Sequence, residues 1–203
     1  MWKEDLNLKA AWGFSCLVEA YDKKILFDTG GRSSILLNNM KRLSIDPSTI
    51  NEIVISHAHR DHTGGLLDFL KINSVKVYIP SSYQEPRNAK EVVKVREPLK
   101  LHENIFSTGM LKSIEQSLAV KTDKGLVMVV GCAHSGVSNI LEIASQFGKS
   151  WALIGGLHAF NDFDLIEKME KICPVHCTKY KSKIKALYPE KYIEGGVGKI
   201  IEL

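Results

Sequence analysis

Two kinds of pattern alternate along the chain: short runs of consecutive apolar residues, and stretches in which apolar positions recur every three or four residues. "FSCLVEA" and "KILFD" read as neighbouring antiparallel strands that turn at residues 21–23. "EIVIS", "VKVYI", "NIFSTG", "SLAVKT", "GLVMVVG", "WALIGG" and "GKIIEL" read as further strands, with Pro80 stopping the second of these. Helical spacing marks residues 33–43, 137–147, 163–172 and 182–187, and the glycine pair Gly64-Gly65 opens a short helix through Leu70. Residues 81–98 are polar, carry Pro86 and Pro98 and show no clear period, so they are expected to form a long irregular excursion. Strands and helices in this alternation predict an α/β protein rich in strands.

Composition narrows the class without changing it. A chain of 203 residues with 44% hydrophobic and 25% charged content can bury one sizeable core, so one domain over residues 1–203 is expected. Charges at residues 3–5 stand where a signal peptide needs its apolar centre, and no apolar run approaches the length of a membrane span. The expectation is a cytoplasmic protein with no membrane contact. The net charge of +4 is spread along the chain, which favours small anions mildly and offers no basic stripe for nucleic acid. Oligomeric state is not legible. The four cysteines form neither a disulfide framework nor a CxxC pair, so reduced thiols are expected. Cys132 reads as core packing. Cys173 and Cys177 bracket "PVH", where packing is the simplest role and a redox pair or soft ligand the alternative.

The histidines change the picture. Six of the seven, His57, His59, His62, His134, His158 and His176, lie at or just beyond the end of an apolar run, in "EIVISHAH", "GLVMVVGCAH", "WALIGGLH" and "KICPVH". Only His102 does not. Strand-end loops are where ligands converge in α/β folds, so one shared site is the economical reading. In "SHAHRDHTGG", His57 and His59 are one residue apart in an extended segment and can grip one metal ion from the same side. The turn that follows carries Asp61 and His62 towards a second position. Two ions at such spacing share a bridging water, lower its pKa to about 7 and leave room for a substrate oxygen.

The motif "HAHRDHTGG", preceded by "ILFDTG" and followed by "GCAH" and a late "VHCT", resembles the metallo-β-lactamase superfamily over about residues 13–203. "WGFSCLVE", "LLNNM", "GCAHSGVSNIL", "IGGLH" and "HCT" resemble more narrowly its dihydropterin-ribofuranosylaminobenzene-phosphate synthase branch. The resemblance implies an αββα sandwich, two mixed β-sheets flanked by helices, with a binuclear metal site at one edge. It implies that His57, His59 and His134 bind one ion and that Asp61, His62 and His176 bind the other. Asp61 would also orient the attacking water, and Asp28 would brace the ligand loop from behind. Two divalent ions are expected, zinc first, with iron or manganese also suited to imidazole and carboxylate ligands.

One departure from the superfamily's pattern bears on the substrate. Many members carry a bridging aspartate where this chain reads "WALIGGLHAF", with no carboxylate before His158. Losing a negative ligand leaves the cluster more positive, which suits a phosphate-bearing substrate. His158 is then expected near the metals or their bound anion as a catalytic group, with Gly155-Gly156 letting them approach closely. The competing account turns His158 towards a backbone carbonyl and makes the glycines a packing feature. Ser135 and Gly136 at one helix start, and Thr178 and Lys179 after His176, are candidate anion-binding groups. The function expected is metal-dependent hydrolysis of a small anionic ester. The alternatives are a transferase displacing diphosphate from a dihydropterin methyl diphosphate, and a metal or ligand sensor without turnover.

Overall fold

A computed structural model describes residues 7–203; the N-terminal charges at residues 3–5 lie outside the described residues. Five strands form the first sheet in the order β1 (Cys16–Ala20), β2 (Lys23–Phe27), β3 (Glu52–Val54), β4 (Lys76–Pro80) and β5 (Glu91–Val95). The β1–β2 hairpin is antiparallel and the remaining pairs are parallel. Six strands form the second sheet: β6 (Leu99–His102), β7 (Ile105–Ser107), β8 (Leu118–Thr122), β9 (Gly125–Val130), β10 (Ser150–Gly156) and β11 (Lys171–Val175). Here β6 to β9 run antiparallel and β9, β10 and β11 run parallel. Each sheet is therefore drawn from one uninterrupted stretch of chain, the first ending at Val95 and the second beginning at Leu99.

The reason the strands read as solid apolar runs is that both faces of each sheet are covered. Ile25, Phe27, Val54, Tyr78 and Val95 point between the sheets and meet Ile105, Leu118, Val120, Val127 and Val129. Their neighbours Leu26, Ile53, Val77 and Ile79 face outwards and pack beneath helices α1 (Ser33–Arg42) and α3 (Leu66–Ile72). On the far side, Leu126, Met128, Val130 and Leu153 pack beneath α4 (Val137–Ala144), α5 (Asp164–Glu167) and α6 (Lys181–Leu187). The architecture is an αββα sandwich with two mixed sheets. A further single turn, α2 (Arg60–Thr63), follows β3.

Three element expectations are corrected. Residues 81–98 are not wholly irregular, because "EVVKV" is the edge strand β5, and "LKLH" after Pro98 is β6. The helix expected over residues 163–172 is one turn, after which Lys171–Val175 joins the second sheet beside β10. "GKIIEL" forms no strand among the described residues. No helix among the described residues is long and apolar enough to cross a membrane.

Candidate metal centre

The site lies where the C-terminal ends of the parallel strands in both sheets meet. Asp28 follows β2, His57 and His59 follow β3, His134 follows β9, His158 follows β10 and His176 follows β11. Non-glycine residues with left-handed backbone sit at four of these exits, with φ of +58° at Asp28, +54° at Ala133, +45° at His158 and +48° at His176. Such conformations cost about 1 kcal/mol or more each and persist where surrounding contacts enforce them. At Asp28 those contacts are visible. Its buried carboxylate accepts from Ser56 N (2.7 Å), Ser56 Oγ (2.7 Å) and His62 Nδ1 (2.6 Å).

This arrangement assigns the imidazole protons. Ser56 Oγ donates to Asp28, so it accepts from His57 Nδ1 at 2.8 Å. With Nδ1–H engaged on both rings, neutral His57 and His62 present bare Nε2 lone pairs to the interior of the cluster. His57 Nε2 is 3.0 Å from His59 Nδ1, and His62 Nε2 is 3.2 Å from His176 Nε2. Asp61 Oδ2 stands 3.1 Å from His176 Nε2 and 3.8 Å from His62 Nε2. The donor atoms of His57, His59 and His134 lie within 4.8 Å of one another, as do those of Asp61, His62 and His176. These are the two trios the resemblance implied.

The electrostatics match a set of cation ligands. Burial, then the charges of the surrounding imidazoles, push the His57 pKa down to about 2, so that ring stays neutral. Burial and the charge on His62 lower His176 to about 4. His134 is also lowered, chiefly by burial. At His62 burial opposes charge, but the Asp28 hydrogen bond and the charges of Asp28 and Asp61 hold its pKa above the ordinary value. The decisive observation is His134 Nε2, a buried nitrogen with no hydrogen-bond partner in the structure. A buried polar atom left this way costs about 1–3 kcal/mol, a cost that a divalent cation held by His57, His59 and His134 would remove.

His158 lies beside the cluster, its ring edge-on to His134 with centroids 4.9 Å apart, while its carbonyl accepts from Lys179 N (2.8 Å). The glycine pair before it is closely packed against β9 and the Cys132–Cys177 contact. A Cβ on Gly155 would stand 1.9 Å from Val130 O, and one on Gly156 would stand 2.3 Å from Gly131 O and 2.8 Å from Cys177 Sγ.

At the two loops expected to bind an anion, the polar atoms have partners within the protein. Ser135 N and Oγ both donate to the buried Glu115 carboxylate at 2.7 Å, and Gly136 N donates to Ala133 O. Thr178 Oγ1 accepts from Leu157 N and donates to Val175 O, so it closes the loop on itself. Lys179 is exposed, with its ammonium over the Tyr180 ring. The protein's own groups thus engage these polar atoms, while the Lys179 ammonium stays at the surface.

Several contributors are invisible to a local reading. Glu115 fixes the His134 loop from 20 residues away. Gln116 ties the sheets together under the site, donating from Nε2 to Ile55 O and accepting at Oε1 from Ser107 Oγ. Trp12, 69% exposed, stands at the mouth with its ring 4.7 Å from His176. Cys177 faces Cys132, with Sγ atoms 3.3 Å apart, and not Cys173. Each of these links positions far apart in sequence. His102, the histidine outside the pattern, bonds Glu52 at the opposite end of β3.

The chain and its fold have matches among known proteins. Over 94% of this chain and 89% of its own length, 7,8-dihydropterin-6-methyl-4-(beta-D-ribofuranosyl)-aminobenzene-5'-phosphate synthase from Methanocaldococcus jannaschii is 28% identical. A crystal structure described as a metal-dependent hydrolase of the beta-lactamase superfamily superposes with a TM-score of 0.78 at 25% identity, covering 97% of this chain and 94% of that one. The metallo-beta-lactamase fold protein YhfI from Bacillus subtilis shares the fold at a TM-score of 0.66 and 11% identity, covering 95% and 93%. A family model described as "Metallo-beta-lactamase superfamily" matches residues 13–143. With the sandwich, the strand-end histidines and this match in agreement, the chain belongs to the metallo-beta-lactamase superfamily, a membership that implies a divalent metal.

Proposed function

We propose that the protein is a metal-dependent hydrolase of a small anionic ester, with two divalent ions, zinc by preference, held by His57, His59 and His134 and by Asp61, His62 and His176. The observation that carries this reading is the unpartnered, buried His134 Nε2 beside the inward lone pair of His57. Bound there, the ions supply a water of lowered pKa and a Lewis acid for the substrate oxygen. The chain does the rest. Asp28 and Ser56 hold the rings of His62 and His57 in one tautomer. The Asp61 side chain is about one-quarter exposed, so it can reach both the cluster and an entering water, and it orients that water for attack. His158 stands next to His134 on the open side, placed to bind the anionic group of the ester. The substrate is anionic on this reading because Asp61 is the one carboxylate in the two trios, which leaves the loaded centre positively charged.

A second reading, transfer of the dihydropterin methyl group from its diphosphate to a ribofuranosylaminobenzene phosphate with loss of diphosphate, has a specific observation in its favour. The relative from Methanocaldococcus jannaschii carries that synthase's name and aligns over nearly the whole chain. One experiment addresses both. Metal-loaded protein is assayed with phosphomonoesters, phosphodiesters and carboxyl esters, and separately with the dihydropterin diphosphate with and without a ribofuranosylaminobenzene phosphate. Hydrolysis independent of a second substrate supports the first reading; product that forms only with both substrates supports the second. Turnover that survives His59→Ala after metal removal would refute both.

A further inference from the structure

The trios account for the six ligands, yet a seventh donor stands between them. Cys132 is buried, and its Sγ lies 3.1 Å from His62 Nε2, the lone pair that Asp28 turns inward. The donor atoms of Cys132, His57 and His62 fall within 4.8 Å of one another, and those of Cys132, His176 and Cys177 do so as well. Cys132 thus shares a neighbour with the first trio, through His57, and two with the second, through His62 and His176. For tetrahedral zinc with Zn–S of about 2.3 Å and Zn–N of about 2.0–2.1 Å, neighbouring sulfur and nitrogen ligands stand about 3.5 Å apart. The observed 3.1 Å is a few tenths of an ångström short of that edge.

The backbone around the thiol is shaped for it. The left-handed Ala133 separates Cys132 from His134, and both side chains end in the same cluster. Gly156 leaves open the space beside the Cys132 backbone into which the Cys177 thiol projects. Cys177 Sγ donates to Cys132 Sγ at 3.3 Å and to Cys132 O at 3.8 Å.

We infer that Cys132 is a further ligand of the metal centre, its thiolate standing between the two ion positions as the negative group that no carboxylate on the loop after β10 supplies, with Cys177 as its hydrogen-bond partner. This rests on the metal reading above. On ligation the Cys132 S–H bond gives its proton to solvent and the sulfur electron pair turns to the ion.

The test replaces the native metal with cobalt(II) in chelator-treated protein, without oxygen, and records the thiolate-to-cobalt charge-transfer absorption. The wild type and the Cys177→Ser and Cys173→Ser variants are expected to show the band, and Cys132→Ser to lose it while its melting curve stays cooperative. Bound cobalt per chain should also fall in Cys132→Ser. Cobalt uptake by the wild type without the band, or a band that survives Cys132→Ser, overturns the inference and leaves the histidine ligands standing. A wild type that takes up no cobalt overturns the metal reading itself. Should Cys132→Ser not fold, X-ray absorption of the zinc-loaded wild type decides: a sulfur shell at about 2.3 Å is expected, and its absence overturns the inference.

Discussion

Asp61 is the one carboxylate in the two trios, and its role is separable from its size. Asp61→Asn keeps the volume and removes the charge that faces His176 and His62. Turnover is expected to fall by about two to four powers of ten, the range for loss of a positioned base or metal ligand, while the melting curve of the metal-free protein stays cooperative. A loss smaller than tenfold in steady-state kinetics would remove Asp61 from the mechanism. The imidazoles give a second expectation, for protein freed of metal. His57 and His176 have folded pKa values near 2 and near 4, below the roughly 6.5 of an unfolded histidine. Below about pH 6.5 the unfolded chain binds protons that these folded rings refuse, so their share of stability, fully present above that pH, drains away through pH 4 and lower. His62 and its buried partner Asp28, whose pKa values are raised, work the other way, against those two and the lowered His134. Thermal melts of chelated protein should therefore fall steadily from pH 7 to pH 4. At this scale the histidines were legible because "HAHRDH" packs three of them and an aspartate into six adjacent residues. The Cys132–Cys177 contact was not, since 45 positions separate partners whose meeting depends on β9 and β11 lying on either side of β10.

Among the elements, the strand exits carry the site, and β10 shows how little freedom they have. Gly155 has φ of +130° and no room for a Cβ against the Val130 carbonyl of β9, whereas Gly30, at φ +66°, has nothing within 4 Å. Gly155→Ala is expected to cost about 3 kcal/mol or more through overpacking and strain, and Gly30→Ala about 1 kcal/mol through strain alone. In melting experiments this means a drop of about 2–4 °C for Gly30→Ala and a drop several times larger for Gly155→Ala. Equal shifts would show that β10 relaxes away from β9. The sequence misreadings also have element-scale causes. The edge strand β5 buries only Val95 fully and alternates with charged Glu91 and Lys94, so its apolar run was too short to stand out. In "DLIEKMEKI" the apolar spacing of Leu165, Ile166, Met169 and Ile172 is helical, yet Ile172 is needed in β11, where it pairs with Leu153. Tertiary pairing overrode the local period. The bond from Ser135 at the start of α4 to Glu115 is likewise one that no reading of residues 132–147 alone could supply.

For the molecule as a whole, the proposed ligands straddle the sandwich: His57, His59, Asp61 and His62 follow strands of the first sheet, and His134 and His176 follow strands of the second. A metal held by both must stabilise the folded chain over the unfolded one. At free metal 100-fold above its dissociation constant the gain is about 2.7 kcal/mol, so chelation should lower the melting temperature by several degrees. An unchanged melting temperature after verified metal removal would mean that the two sheets are not joined through the site. Each sheet also comes from its own half of the chain, and the connection between them is the short exposed passage from Arg96 to Pro98. Severed there, the polypeptide becomes two fragments, each holding some but not all of the histidines. Such fragments are expected to reassociate through the apolar faces of β2, β3, β8 and β9, which pack together in the intact chain. Recovery of tight metal uptake on mixing would then report reassembly, making the centre a chemical readout of whether the two halves have found each other.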